Sequence, residues 1–225
     1  MSRPPRAVSL CGQPLKCQHV CMFTESEDEQ YRILNPFLRE GIAAGDEVLT
    51  IVDDQRRDTH ARRMDAGGVP VEDALASGQL RILASDDTYG RDGTFAAERM
   101  YALLEDVLEQ AAESRWGPMR IVGDAAWVLR TMQGVDELMA YEAKVNLLAP
   151  RHQCTLLCVY DINQCSGQVV ADALATHSHV ILGGRLLENP HYMQPIDFLQ
   201  KVALRRTHDA PVRAATTERN PSGLA

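Results

Sequence analysis

Lysine is scarce in this sequence: Lys16, Lys144 and Lys201 are the three in a chain of 225 residues. None follows a glycine and none precedes Ser or Thr, so the phosphate-binding pattern G-x-x-x-x-G-K-[ST] is absent outright. No block of positive charge occurs. The 23 basic residues stand against 31 acidic ones, a net charge of −8, which argues against nucleic acid as the direct partner. No apolar run approaches the roughly 20 residues that span a bilayer. The start, Met1-Ser2-Arg3-Pro4-Pro5-Arg6, lacks the apolar core of a secretory signal. A cytoplasmic location is therefore expected, with the cysteines held as reduced thiols. There is no C-x-x-C pair of the kind that announces structural zinc, and no G-x-S-x-G nucleophile elbow.

What is present is a core. Hydrophobic residues make up 45% of the chain, enough to fold without disulfides or metal. Apolar strand-like segments at 18–23, 47–52, 79–84, 119–123, 154–160 and 179–183 alternate with helical patterns at 27–44, 55–66, 95–114, 135–149 and 168–176. Such alternation predicts a three-layer α/β fold, a mainly parallel sheet covered on both faces. Residues 17–204 read as one domain. Residues 1–16 and 205–225, rich in Pro, Arg, Ser and Thr without periodicity, read as mobile tails.

The turn after the first strand is Thr24-Glu25-Ser26-Glu27-Asp28-Glu29, whose carboxylates would repel a phosphate. Ser26 and Glu29 instead form a capping-box signal for the helix that follows. Nucleotide is not expected. Asp124, at the end of the 119–123 strand, is placed to reach a crevice at the carboxyl edge of the sheet. Trp127 is a candidate for the wall of an apolar pocket.

Side chains alternate along a strand, so His19, Cys21 and Phe23 share a face, as do Cys154, Leu156, Cys158 and Tyr160. In the 135–149 helix the apolar stripe Leu138, Val145, Ala149 is interrupted by Glu142. A carboxylate there must pair with a cation, find hydrogen-bond donors or take up a proton. One reading leaves it at the rim with an arginine; the other makes it a site acid or the orienting group of an imidazole. His177 falls at a helix-to-strand junction, where loop residues commonly carry function. Cys154 and Cys158 on one strand stand about 13 Å apart, too far to share an ion, whereas His19 and Cys21 are about 6.6 Å apart along theirs. The metal-site alternative is accordingly His19, Cys21, Cys158 and His177. An enzyme built on Cys158 is the third class; the apolar strand around that thiol disfavours the thiolate it would need.

Taken in order, His19-Val20-Cys21-Met22-Phe23, the segment Leu34 to Glu47 with Gly41 and Gly45-Asp46, Arg120 to Trp127, Tyr141-Glu142-Ala143-Lys144-Val145-Asn146, Leu157 to Asp161, Thr176-His177 and Asn189-Pro190-His191-Tyr192 resemble the MEDS family of sensory domains, over residues 17 to 195. The resemblance implies a RecA/KaiC-like fold without a phosphate loop and a role in prokaryotic signal transduction. The ligand it implies is a simple hydrocarbon derivative or related small metabolite. Its motif positions are His19, Glu142, Cys158, Tyr160 and His177, to which the strand pattern adds Cys21 as a ligand-binding candidate. The partners it implies are a histidine kinase, an anti-sigma factor or a transcription regulator; self-association into a homo-oligomer is the separate expectation for a sensor that signals without an attached output module. Two positions depart from the family pattern: Thr24 stands where an aromatic is usual, and Ser178 where proline is common. The expected pocket lies near the carboxyl ends of the strands, with no metal or cofactor required.

Overall fold

A computed structural model describes residues 7–16, 18–84, 88, 95–131 and 135–209. Its centre is a seven-stranded sheet in the order β5-β4-β6-β7-β3-β8-β9, made of β3 (His19–Thr24), β4 (Asp46–Val52), β5 (Leu80–Ala84), β6 (Gly117–Asp124), β7 (Thr155–Asp161), β8 (His179–Leu182) and β9 (Arg185–Glu188). All neighbours pair in parallel except β8 with β9. β3 and β4 are buried along their whole length, as parallel strands covered on both faces require.

The faces sort the residues by parity. Cys21, Phe23, Leu49, Ile51, Ile121 and Leu156 join one core cluster, whose helices are α4 (Ala97–Ala112), α6 (Val135–Val145), α8 (Gly167–Thr176) and α9 (Pro195–Asp209). Val20, Met22, Val48, Val52, Val122 and Val159 face the other way, onto α1 (Glu27–Ala43), α2 (Arg57–Ala66) and α3 (Val71–Ala76). The three-layer α/β expectation is met. Two shorter α-helices among the described residues are α5 (Ala126–Thr131) and α7 (Leu148–His152). No helix among the described residues is long and apolar enough to cross a membrane.

Local chemistry explains where elements start. Ser26 caps α1, its Oγ accepting from the Glu29 amide at 3.3 Å, while the Glu29 carboxylate accepts from the Glu25 amide at 2.9 Å. The capping box is thus present, displaced by one residue on its return bond. Across the sheet, Arg120 donates to Asp46 at 2.8 Å and to the Phe37 carbonyl at 2.6 Å, with all three groups buried. A Cβ on Gly41 would come within 2.6 Å of the Arg120 side chain, so glycine is what lets α1 lie over that pair.

Several boundaries differ from expectation. Residues 8–15, read as part of a tail, form a hairpin of β1 (Val8–Leu10) and β2 (Gln13–Leu15). Its two-residue turn has Cys11 at φ 50° and Gly12 at φ 75°, the doubly positive pattern that matches strand twist. Val8, Leu10 and Leu15 bury themselves in the α1 layer, which is why the segment folds. At the other end, α9 continues through residue 205 to Asp209, because Arg205 pairs with Asp136 and, at 2.6 Å, with the buried Asp172. The remaining terminal residues lie outside the described set. The single helix expected over 135–149 is two, α6 and α7, separated after Val145.

Candidate functional site

Four buried side chains from four elements meet on the α6 face of the sheet. His19 opens β3, Glu142 descends from α6, Cys158 lies in the middle of β7 and His177 caps the end of α8. One donor atom from each lies within 4.8 Å of all the others. The His19 Nε2 stands 3.0 Å from Glu142 Oε2 and 3.2 Å from Cys158 Sγ. The Cys158 thiol donates to the same carboxylate oxygen at 3.3 Å. Tyr160 donates its hydroxyl to Glu142 Oε1 at 3.0 Å. The interruption of the apolar stripe therefore has a physical reason: Glu142, 2% exposed, collects donors from three side chains on the sheet.

His177 adds a fixed tautomer. Its Nδ1 lies 2.7 Å from the Ala173 carbonyl, which can only accept, so Nδ1 carries the proton. Nε2 then presents a lone pair to Glu142 Oε2 at 3.6 Å and has no hydrogen-bond partner. The rings of His19 and His177 are in contact, centroids 3.9 Å apart.

Burial governs the protonation states. It pushes His177 down to about 3, assisted by the charge on His19 and opposed by Glu142, so this imidazole is neutral near pH 7. Burial also works to raise the Glu142 carboxyl, but the hydrogen bond from His19, with that from the Cys158 thiol, opposes it and the group is held below its ordinary range. Cys158 and Tyr160 are driven well above theirs, first by burial and then by the Glu142 charge. A thiol in this state is a poor nucleophile, as the apolar strand predicts.

Five of the six sequence candidates, His19, Glu142, Cys158, Tyr160 and His177, converge. Cys21 does not belong to the tetrad. It pairs in register with Cys158 on β7, but its thiol turns to the His179 carbonyl at 3.8 Å. The metal alternative His19, Cys21, Cys158, His177 is thus corrected, with Glu142 in the place of Cys21. His19 begins β3 and His177 precedes β8, so these two members of the cluster sit toward the amino ends of their strands, whereas Cys158 lies mid-strand.

Beside the cluster is a small apolar cavity of about 40 Å³, partly open to solvent. Ile51, Met100, Ile121, Leu138 and Tyr141 line it, Glu142 and Cys158 form one polar wall, and Gly123 and Asp124 bring it to the carboxyl end of β6. Asp124 itself accepts from Arg56 at 3.3 Å and from the Ala126 amide at 2.9 Å. Burial raises its carboxyl even so, against the Ala126 bond and the Arg56 charge. The side chain of Trp127 lies outside the described residues.

Two asparagines that carried no assigned role position the site. Asn146 donates to the Thr176 carbonyl at 2.7 Å, and Asn189 donates to the carbonyls of His177 at 2.7 Å and Leu174 at 2.6 Å. Both clamp the turn that carries His177. Their signal in the sequence is position alone, since Asn146 closes one of the short motifs quoted above and Asn189 opens another.

A family profile described as the methanogen/methylotroph, DcmR sensory domain (MEDS) matches residues 18–178. The chain is similar to the transcriptional repressor DcmR of Methylorubrum extorquens, with 28% identity over 161 residues, 71% of this chain and 57% of that protein. It thus spans little more than half of the repressor's length. Among solved structures it is similar to the flagellar accessory protein FlaH from Methanocaldococcus jannaschii, with a TM-score of 0.50 and 14% identity over 76% of this chain and 75% of that one. It is also similar to a KaiC-like protein from Pyrococcus horikoshii, with a TM-score of 0.58 and 14% identity over 79% and 80% of the two chains. At that identity the likeness concerns the fold alone, which is RecA/KaiC-like.

Proposed function

The chain belongs to the MEDS family of sensory domains, and on that premise we propose that it detects a small, weakly polar organic metabolite and passes the signal to a transcription-regulatory partner. The observation that carries this reading is the apolar cavity ending on a buried polar wall. Its lining of Ile51, Met100, Ile121 and Leu138 suits a hydrocarbon body, and Glu142 and Cys158 meet a polar end. Ligand shifts the sensor between two states only through unequal affinity for them. The similarity to a transcriptional repressor supports a regulatory output. A nucleotide fits poorly, because the first turn of α1 carries Glu27, Asp28 and Glu29 where phosphate would need free amides.

The test is a thermal-shift and native-mass-spectrometry screen of one- to four-carbon halides, alcohols, thiols and amines against the full chain. A ligand at about a hundred times its Kd adds about 2.7 kcal/mol, a rise in Tm of roughly 5–10 °C for a chain of this size. The cavity-filling variant Leu138→Trp and the polar variant His19→Ala are expected to lose the shift while staying folded. No binding by any member of the panel, or equal binding by Leu138→Trp, refutes the cavity as the sensing site.

A further inference from the structure

We propose that His19, Glu142, Cys158 and His177 form a binding site for a divalent transition-metal ion, with tetrahedral Zn²⁺ the best match. This inference goes beyond the organic-ligand reading and does not rest on it; either can fail alone.

The donor set is the first argument. Two imidazoles, a carboxylate and a thiol are the borderline-soft ligands that zinc combines, whereas magnesium and calcium call for all-oxygen shells. Spacing is the second. Zinc bonds of about 2.0–2.3 Å place the donors of a tetrahedron about 3.3–3.8 Å apart. Four of the six edges are 3.0 Å for His19–Glu142, 3.2 Å for His19–Cys158, 3.3 Å for Cys158–Glu142 and 3.6 Å for His177–Glu142, and the two from His177 to His19 and Cys158 lie within 4.8 Å. An ion would open the shortest of these edges by a few tenths of an ångström and draw the His177 ring in toward the other three donors.

The third argument is an interaction that hydrogen bonding leaves unexplained. The His177 Nε2 and Glu142 Oε2 are both acceptors, and they face each other across 3.6 Å with no proton between them. His177 is fully buried, and its Nδ1–H is committed to the Ala173 carbonyl. Such a backbone bond is the arrangement that holds a ligating histidine in its metal-binding tautomer. A cation between the two lone pairs converts a repulsion into two bonds.

Charge balance agrees. One dipositive ion, a carboxylate, a thiolate and two neutral imidazoles sum to zero, the total a dry interior tolerates best. Forming the Zn–S bond displaces the Cys158 thiol proton, and the Zn–N bond at His19 displaces the proton now shared with Glu142 onto Nδ1 or into solvent. All four positions are protein ligands, so the site is a closed one, suited to holding structure or registering metal rather than to activating water.

The experiment uses the untagged full chain, purified under reducing conditions without chelator from zinc-supplemented cells. Elemental analysis should give about one zinc per chain, falling below about a tenth in His177→Gln and in Glu142→Gln. Because those variants could fold poorly, chelated wild-type protein is then titrated with Co²⁺. The expected spectrum has the intense visible bands of a tetrahedral site and a near-ultraviolet thiolate charge-transfer band. Cys158→Ser should lose the charge-transfer band, and Cys21→Ser should keep it. Wild-type protein that carries no metal and gives no tetrahedral cobalt spectrum overturns the proposal. So does a charge-transfer band that vanishes with Cys21→Ser and persists with Cys158→Ser.

Discussion

Replacing Tyr160 by Phe deletes one oxygen from the centre of the molecule and little else. The hydroxyl donates to Glu142 Oε1 at 3.0 Å, and both residues are buried, at 0% and 2% exposure. The ring contacts, to Phe23 at 5.5 Å and edge-on to His177 at 6.1 Å, survive the change. What is lost is a hydrogen bond to an ionised group, worth about 1.5–3 kcal/mol net. For a chain of this size each kcal/mol moves Tm by roughly 2–4 °C, so a fall of about 3–12 °C is expected. The assay is thermal and urea unfolding with chelator present throughout, which separates the hydrogen bond from any metal. An unchanged urea m-value would confirm that the native state alone is affected. Repeating the substitution in Glu142→Gln should give a smaller loss, since contacting residues couple by about 0.5–3 kcal/mol. A Tm within about 1 °C of wild type would refute the argument; it would mean that Glu142 is not held by its donors.

Two further predictions concern the scaffold. Arg120→Met removes the donor 2.8 Å from the buried Asp46 carboxylate and the donor 2.6 Å from the Phe37 carbonyl, so urea unfolding should show a loss of about 3–5 kcal/mol; adding Asp46→Asn should restore part of it, and a loss under about 1 kcal/mol would refute the pair's role. His60 is buried, bonded through Nδ1 to the Tyr31 hydroxyl at 2.8 Å, and lowered to about 4 from 6.5 by burial and by the Arg56 charge. Between those values the unfolded chain binds this proton and the folded chain does not, so stability falls as pH drops through that window, by at most about 3 kcal/mol. The His60→Gln chain should lose less stability than wild type between pH 7 and pH 4, and parallel curves would remove His60 as the cause.

The alternation of apolar and amphipathic segments made the layered parallel sheet readable, because burial on both faces leaves a pattern in each strand. Glu142 was readable as an anomaly for the same reason: a charge in an apolar stripe needs partners. Which partners it has was not readable, since Glu142 lies 123 residues from His19 and 35 from His177, and only the pairing of β3 with β7 and β8 brings them together. Cys21 shows the limit. Parity put it on the correct face, but the rotation of its thiol toward His179 is a tertiary matter. The hairpin at 8–15 was hidden by a polar, proline-bearing composition with just three buried apolar residues. α9 escaped notice because its core anchors are few, Phe198 and Val202, with ion pairs supplying much of the remaining attachment.

The amide of Asn189 ties together parts of the chain that would otherwise move separately. Its two bonds hold Leu174 and His177, its own backbone N–H reaches the Ser178 carbonyl at 2.9 Å, and the Met193 amide returns to Ala175 at 2.9 Å. Segment 174–178 and segment 189–193 are thus stitched into one cooperative unit, with His177 at its inner edge and the start of α9 at its outer edge. In the language of local unfolding, such a unit opens whole or not at all. Anything that binds at His177 raises the free energy of that opening and slows amide exchange across both segments, while β4 and β5 on the far side keep their own rates. The chain then reports an event in its interior as a change in how often α9 detaches.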